Sequence, residues 1–85
     1  MPYIKPEYRF KFQPALDMLP TIESTGELNY ILSMIYNKYL NQHGTPNYAK
    51  YNDVMGAVLG SVLEMYRIKA APYEDSKIIQ NGPIS

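Results

Sequence analysis

Residues 51–67 read YNDVMGAVLGSVLEMYR, and the fold class turns on this stretch. Tyr51, Val54, Met55, Val58, Leu59, Val62, Met65 and Tyr66 recur at 3.6 residues per turn and cover roughly half of a helix circumference. So wide an apolar face predicts a central helix packed on more than one neighbour. Upstream, Thr45-Pro46 reads as a cap with proline at the first helical position, and downstream Pro72 reads as a stop. A long helix is therefore expected over 46–71. Pro72 with Tyr73-Glu74-Asp75 restarts a short helix over 72–80, which Asn81-Gly82-Pro83 closes.

On the other side of Thr45, Ser24-Thr25-Gly26-Glu27 is a capping box, with the Glu27 carboxylate expected to reach back to the Ser24 amide. Leu28, Ile31, Leu32, Ile35 and Tyr39 then mark one apolar face, and Gly44 supplies a left-handed stop. This predicts a helix over 26–42. Residues 1–22 hold Pro2, Pro6, Pro14 and Pro20, so they form an arm of short helical pieces rather than one element. The expected architecture is all-α: an antiparallel helical hairpin, a short C-terminal helix and the N-terminal arm, in one domain over 1–85 that assembles as a homo-oligomer.

Composition narrows the chemistry. A domain of 85 residues buries only about 60–65% of its unfolded surface, and chains this small usually lean on disulfides, a metal or a partner. There is no cysteine and one histidine, His43, so thiolate metal sites and disulfides are excluded and no metal or cofactor is expected. Eight basic residues balance eight acidic ones, which removes the electrostatic footprint of a duplex-DNA or anionic-membrane binder. No apolar run approaches the ~18 residues of a membrane span, and no charged-then-apolar leader opens the chain, so a cytoplasmic protein is expected. Nine tyrosines, two phenylalanines and no tryptophan suit surfaces that are covered yet need hydrogen bonds, as interfaces and ligand clefts do.

Three features stand out. Opposite the apolar side of the long helix, Asp53, Gly56, Ala57, Gly60, Glu64 and Arg67 share one face. Two helix-interior glycines cost about 1 kcal/mol each relative to alanine, so this face is read either as a tight helix crossing at Gly56 and Gly60 or as a shallow ligand groove. Arg67 there would clamp an anion or pair with Glu64. On the first helix, Asn29, Ser33 and Asn37 stack four residues apart, and Lys38 is the one charge between Leu28 and Gln42. An uncharged, hydrogen-bonding stripe suits a subunit interface or a polar ligand wall. In the arm, Lys5, Tyr8, Arg9, Phe10, Lys11 and Phe12 interleave cations with rings, which can bind single strands or nucleotides; the plainer reading is that the rings pin the arm and the cations are solvated. No nucleophile or acid–base arrangement is legible, and phosphate-loop glycine spacing is absent. A minor hydrolase using Asp53 and Glu64 is the one enzymatic reading, and the chain is expected not to be an enzyme.

Gly26-Glu27-Leu28-Asn29-Tyr30, the run from Asn52 to Val58, and Glu64, Tyr66-Arg67, Ala71-Pro72-Tyr73-Glu74-Asp75, Lys77, Ile78, Asn81 and Gly82 resemble a family of short proteins of unknown function that recurs in tailed-phage and bacterial genomes and opens with Met-Pro-Tyr-Ile. The resemblance runs over nearly the whole chain, most specifically at 64–82. It implies a phage or bacterial cytoplasmic setting, the host cytoplasm if phage-encoded, and assigns no catalytic residue. Small phage proteins of this size commonly act by binding, either blocking a host protein or sequestering a nucleotide signal of host defence, and the resemblance extends this to the chain by analogy.

The resulting expectation is a binding module that captures a small phosphorylated or nucleotide-like ligand where subunits meet. Arg67 and Lys77 would hold phosphate, Tyr30, Tyr66 or Tyr73 would stack, and Asn29, Asn52, Asp53 and Glu64 would read polar edges. Ser33, Asn37, Gly56 and Gly60 would form the interface. The alternative is a protein-interaction inhibitor or structural oligomer without a small ligand.

Overall fold

The computed structural model describes residues 4–83, and the start of the expected arm, with Pro2, lies outside the described residues. Every regular element among the described residues is helical, as the periodicity predicts. A short 3-10 turn over Pro6–Tyr8 is followed by α1 (Gln13–Asp17), α2 (Thr25–Leu40) and α3 (Tyr48–Met65). A π-helical turn over Tyr66–Ala70 then leads directly into α4 (Ala71–Asn81).

The start of α2 is set by its cap. The Ser24 hydroxyl accepts from the Glu27 amide at 3.1 Å, while Ser24 itself is extended. The Glu27 carboxylate reaches one residue further back than the capping-box reading had it, accepting from the Glu23 amide at 2.9 Å. Two otherwise unsatisfied donors at the helix start are thereby matched. The arm reaches α2 at the same place, where Leu19, Pro20 and Ile22 line an open hollow with Tyr30 and Ile31. The arm's rings are not pinned: Phe10 is 74% exposed, because no core of this chain lies beneath them.

The link between α2 and α3 differs from the expected one in a way that matters for the site. Asn47, not Thr45, caps α3, its side-chain oxygen accepting from the Lys50 amide at 3.0 Å. An asparagine accepts this bond with less steric demand than the β-branched threonine two residues earlier. His43 and Gly44 both take positive φ, 57° and 108°, so the chain reverses over two residues, and α2 ends at Leu40 rather than at 42. Lys50 then reaches across, its ammonium donating to the carbonyls of Leu40 (3.5 Å), Gln42 and Gly44 (3.4 Å). A cation thus sits where the dipole and unsatisfied carbonyls of α2 place partial negative charge. One turn away, the Tyr39 hydroxyl donates to Asp53 at 3.0 Å.

Beyond the arm, contact between different elements is confined to α2 with α3 and to the consecutive segments of the long helical run. Both of the side-chain links from α2 to α3 lie at the loop end. The result is open: the radius of gyration is 16.8 Å and the long axis 52 Å, against about 12 Å for the radius of a compact domain of this length. Among the described residues no side chain is buried. Leu28, Leu32, Ile35, Val58, Leu59 and Val62, the residues whose period marks the helices, are between 38% and 59% exposed. Nothing crosses at Gly56 either. A Cβ built there meets no atom within 4 Å, so the expected helix crossing at this glycine is absent within one chain, while Gly60 is half-buried. None of the described helices is long and apolar enough to cross a membrane.

Replacing Lys50 by methionine removes the ammonium that closes α2 while keeping the side chain's reach. Hydrogen bonds from a charged donor contribute about 1–2 kcal/mol at a partly exposed site. Lys50→Met is therefore expected to lower unfolding stability by that amount in urea titration, and no change in midpoint would show that Lys50 does not hold the loop.

Candidate functional site

Pro72 has no amide hydrogen to donate, and its ring crowds the carbonyl four residues earlier, that of Ile68. In place of a break, the helix widens. The Ala71 amide donates to the Tyr66 carbonyl, five residues back, which is the π-helical pattern. α4 therefore follows α3 without the stop expected at Pro72, and its first turn carries Glu74 as its acid. Such single wide turns inside α-helices recur at functional sites.

The wide turn gathers much of the predicted ligand set. The Tyr66 hydroxyl donates to the Glu74 carboxylate at 3.1 Å, across eight residues, a separation of about 12 Å along a regular helix axis. Arg67 pairs with Glu64 at 2.5 Å, an i,i+3 ion pair in which the arginine side chain is 71% exposed and the glutamate 24%. Lys77 lies over the Tyr73 ring, 5.5 Å from its centre, and donates to Gln80 at 3.2 Å. Beside these, Ser61, Glu64, Met65, Ile68 and Lys69 line an open trough of about 340 Å³. The volume is in the range of small-ligand sites, although the trough has one wall in a single chain.

The remaining predicted residues lie elsewhere. Asn29 accepts from Ser33 at 3.2 Å, and Ser33 accepts in turn from the Tyr36 hydroxyl at 3.2 Å. The Asn37 backbone carbonyl accepts from the Asn41 side chain at 2.9 Å. The uncharged stripe of α2 thus meets part of its hydrogen-bonding need internally. Tyr30 borders the hollow of about 450 Å³ under the arm. Asn52 is exposed near the start of α3, and Asp53 is held by Tyr39. Asp53 and Glu64 stand about 16 Å apart along the helix axis, too far to share one ion. Among the described residues no group of three His, Cys, Asp or Glu side chains could hold a metal.

Glu74 and Lys50 were not among the residues singled out from the sequence. For Glu74 the signal was a tyrosine and a carboxylate two turns apart around Pro72, which reads as a contact only once the helix is known to continue. Lys50 carries no signal at all, because its acceptors are backbone carbonyls of another helix.

Both bridged tyrosines hold their protons more tightly than usual. For Tyr66 the main cause is its hydrogen bond to Glu74, with that carboxylate's charge adding to it. For Tyr39 the hydrogen bond to Asp53 acts likewise, and both phenols shift above the ordinary 10.0. A raised folded-state value means stability that is fully present below the unfolded phenol value and is lost as pH rises through the folded one. Stability should therefore fall in the alkaline range above about 10. Glu74→Gln removes the charge and should return Tyr66 toward its ordinary value in an ultraviolet titration. Pro72→Ala should do the same while raising helicity, since the wide turn is no longer required. Unchanged Tyr66 ionisation in both variants would refute the bridge.

No curated protein and no solved structure matches the chain. A family described as a domain of unknown function (DUF6899) matches residues 1–84. The helices, the wide turn and its tyrosine–carboxylate bridge are thus features of a chain that belongs to the DUF6899 family.

Proposed function

We propose that the chain is a non-enzymatic binding protein that works as an assembly of its own copies and takes a small phosphorylated or nucleotide-like ligand at the seam between them. One observation carries the reading: among the described residues the apolar faces of two long helices stay about half exposed, and the cations and rings of residues 66–77 follow on the same helical run. Arg67 and Lys77 supply positive charge, Tyr66 and Tyr73 supply flat faces, and all four fall within residues 66–77. A phosphate would displace the Glu64 carboxylate as the partner of Arg67, a replacement of one oxyanion by another that guanidinium geometry accommodates bidentately. Asn29, Tyr30, Asn52 and Asp53 stand elsewhere in the chain and are no part of this cluster. The proposed setting is phage or bacterial cytoplasm, where such capture would sequester a host signalling nucleotide.

A second reading has specific support in the same uncovered surface: an inhibitor of a host protein, or a structural oligomer, with no small ligand. The two readings separate on one experiment. Protein purified under native conditions is screened by native mass spectrometry for a co-eluting nucleotide, then by thermal shift against nucleoside mono-, di- and triphosphates and cyclic nucleotides. Capture predicts a bound species or a shift, with Arg67→Ala weakening binding by tenfold or more, the equivalent of one charge-assisted hydrogen bond. A folded, assembled protein that binds none of these ligands leaves only the second reading.

A further inference from the structure

We infer that a second copy of this chain covers the apolar stripes of α2 and α3, so that the hydrophobic core is built between chains rather than within one; this rests on the assembly part of the proposed function and names its interface. The accessible surface of one chain is 7736 Å², whereas a compact monomer of 9.8 kDa exposes about 5200 Å². The excess is roughly 2500 Å² per chain, so two copies covering it for each other bury about 5000 Å² in total, within the range of obligate homodimers.

The position of the stripes assigns the face. On α2, Leu28, Leu32 and Ile35 follow one another at spacings of four and three and carry no charge, and Tyr39, next on that line, turns its hydroxyl to Asp53 at the loop end. On a wheel of 100° per residue they lie roughly 90° from Tyr36 and Leu40, the half-buried residues at the loop end. On α3, Met55, Leu59 and Val62 stand well over 90° from Asp53 and Lys50, which make the links to α2, while Val58 stands about 80° from Lys50. Apart from the Tyr39 hydroxyl, the loop-end links come from other positions, and the apolar stripes stay about half exposed along their length. Stripes that are uncharged on a chain of zero net charge can meet their own copies without like-charge repulsion, as a two-fold interface requires. The uncharged stripe of Asn29, Ser33 and Asn37 lies on another side of α2 and satisfies itself in part by local hydrogen bonds.

The absence of cysteine makes the test direct. Single-thiol chains Leu32→Cys, Ile35→Cys and Val62→Cys are treated with a bis-maleimide, singly and as pairwise mixtures, with Asn37→Cys as the contrast. Light scattering of the unaltered chain gives its mass. The inference expects a mass of at least twice 9.8 kDa, cross-linked dimer through the stripe positions, and at least a fivefold lower yield through Asn37. It also expects Leu32→Glu with Val62→Glu to reduce association at least tenfold, and the cysteine variants stand as the test if that double variant does not fold. A helical chain that stays at 9.8 kDa overturns it, as does an assembly cross-linked through Asn37 but not through the stripes. Assembly through the stripes without any bound nucleotide supports this interface and removes the ligand reading alone, whereas nucleotide binding by a monomer overturns this interface and the seam and leaves capture by a single chain.

Discussion

Apolar surface has to leave water for a helix of this kind to persist, and among the described residues no side chain leaves it completely. Helices of eleven to eighteen residues are marginal on their own, because the first turn costs more entropy than its hydrogen bonds return; packing against a neighbour is what ordinarily stabilises them. Here α2 and α3 are joined at the loop end and no described side chain is buried. At roughly 25 cal/mol for each Å² of apolar surface removed from water, the uncovered stripes are the largest favourable contribution still unused. The covering of these faces is the condition on which helix persistence, the reach of the wide turn and any ligand site depend.

The local devices work toward presenting those faces. Ser24, Asn47 and the Lys50 ammonium satisfy helix-end groups that would otherwise need water. The Tyr39–Asp53 bond sets α2 against the first turns of α3. The π-helical turn lets one helical run pass through Pro72, and it changes the facing of everything beyond it by the angle of one extra residue. Tyr66 and Glu74 meet for that reason, and Arg67, Tyr73 and Lys77 lie along the same stretch. A proline that simply ended the helix would have left these groups on separate elements.

Much of the fold was legible residue by residue. The capping box located the start of α2, the apolar period set the helical class, and Gly44 carried the positive φ its position demanded. Misreadings share a physical origin. Thr45-Pro46 competed with Asn47 as the cap, and cap choice depends on which side chain can reach an amide once the loop has closed. Pro72 looked like a stop because its missing donor and its ring oppose an α-turn, yet both are accommodated when the preceding turn widens. Of the candidate site, the Arg67–Glu64 and Tyr73–Lys77 pairs were readable as neighbours one turn apart, while the Tyr66–Glu74 bridge was not, since it spans the wide turn.

Local spacing, capping chemistry and composition by themselves determined that this chain is all-helical, that Ser24 opens α2, and that it lacks thiol chemistry. These are short-range matters, set by backbone sterics and hydrogen bonds within a few residues. Only the tertiary structure decided that Gly56 meets nothing, that Lys50 closes a helix other than its own, and that the apolar faces stay about half exposed. Those outcomes depend on where two helices stand in space. A helix's periodicity defines which residues share a face but carries no information about what that face will meet.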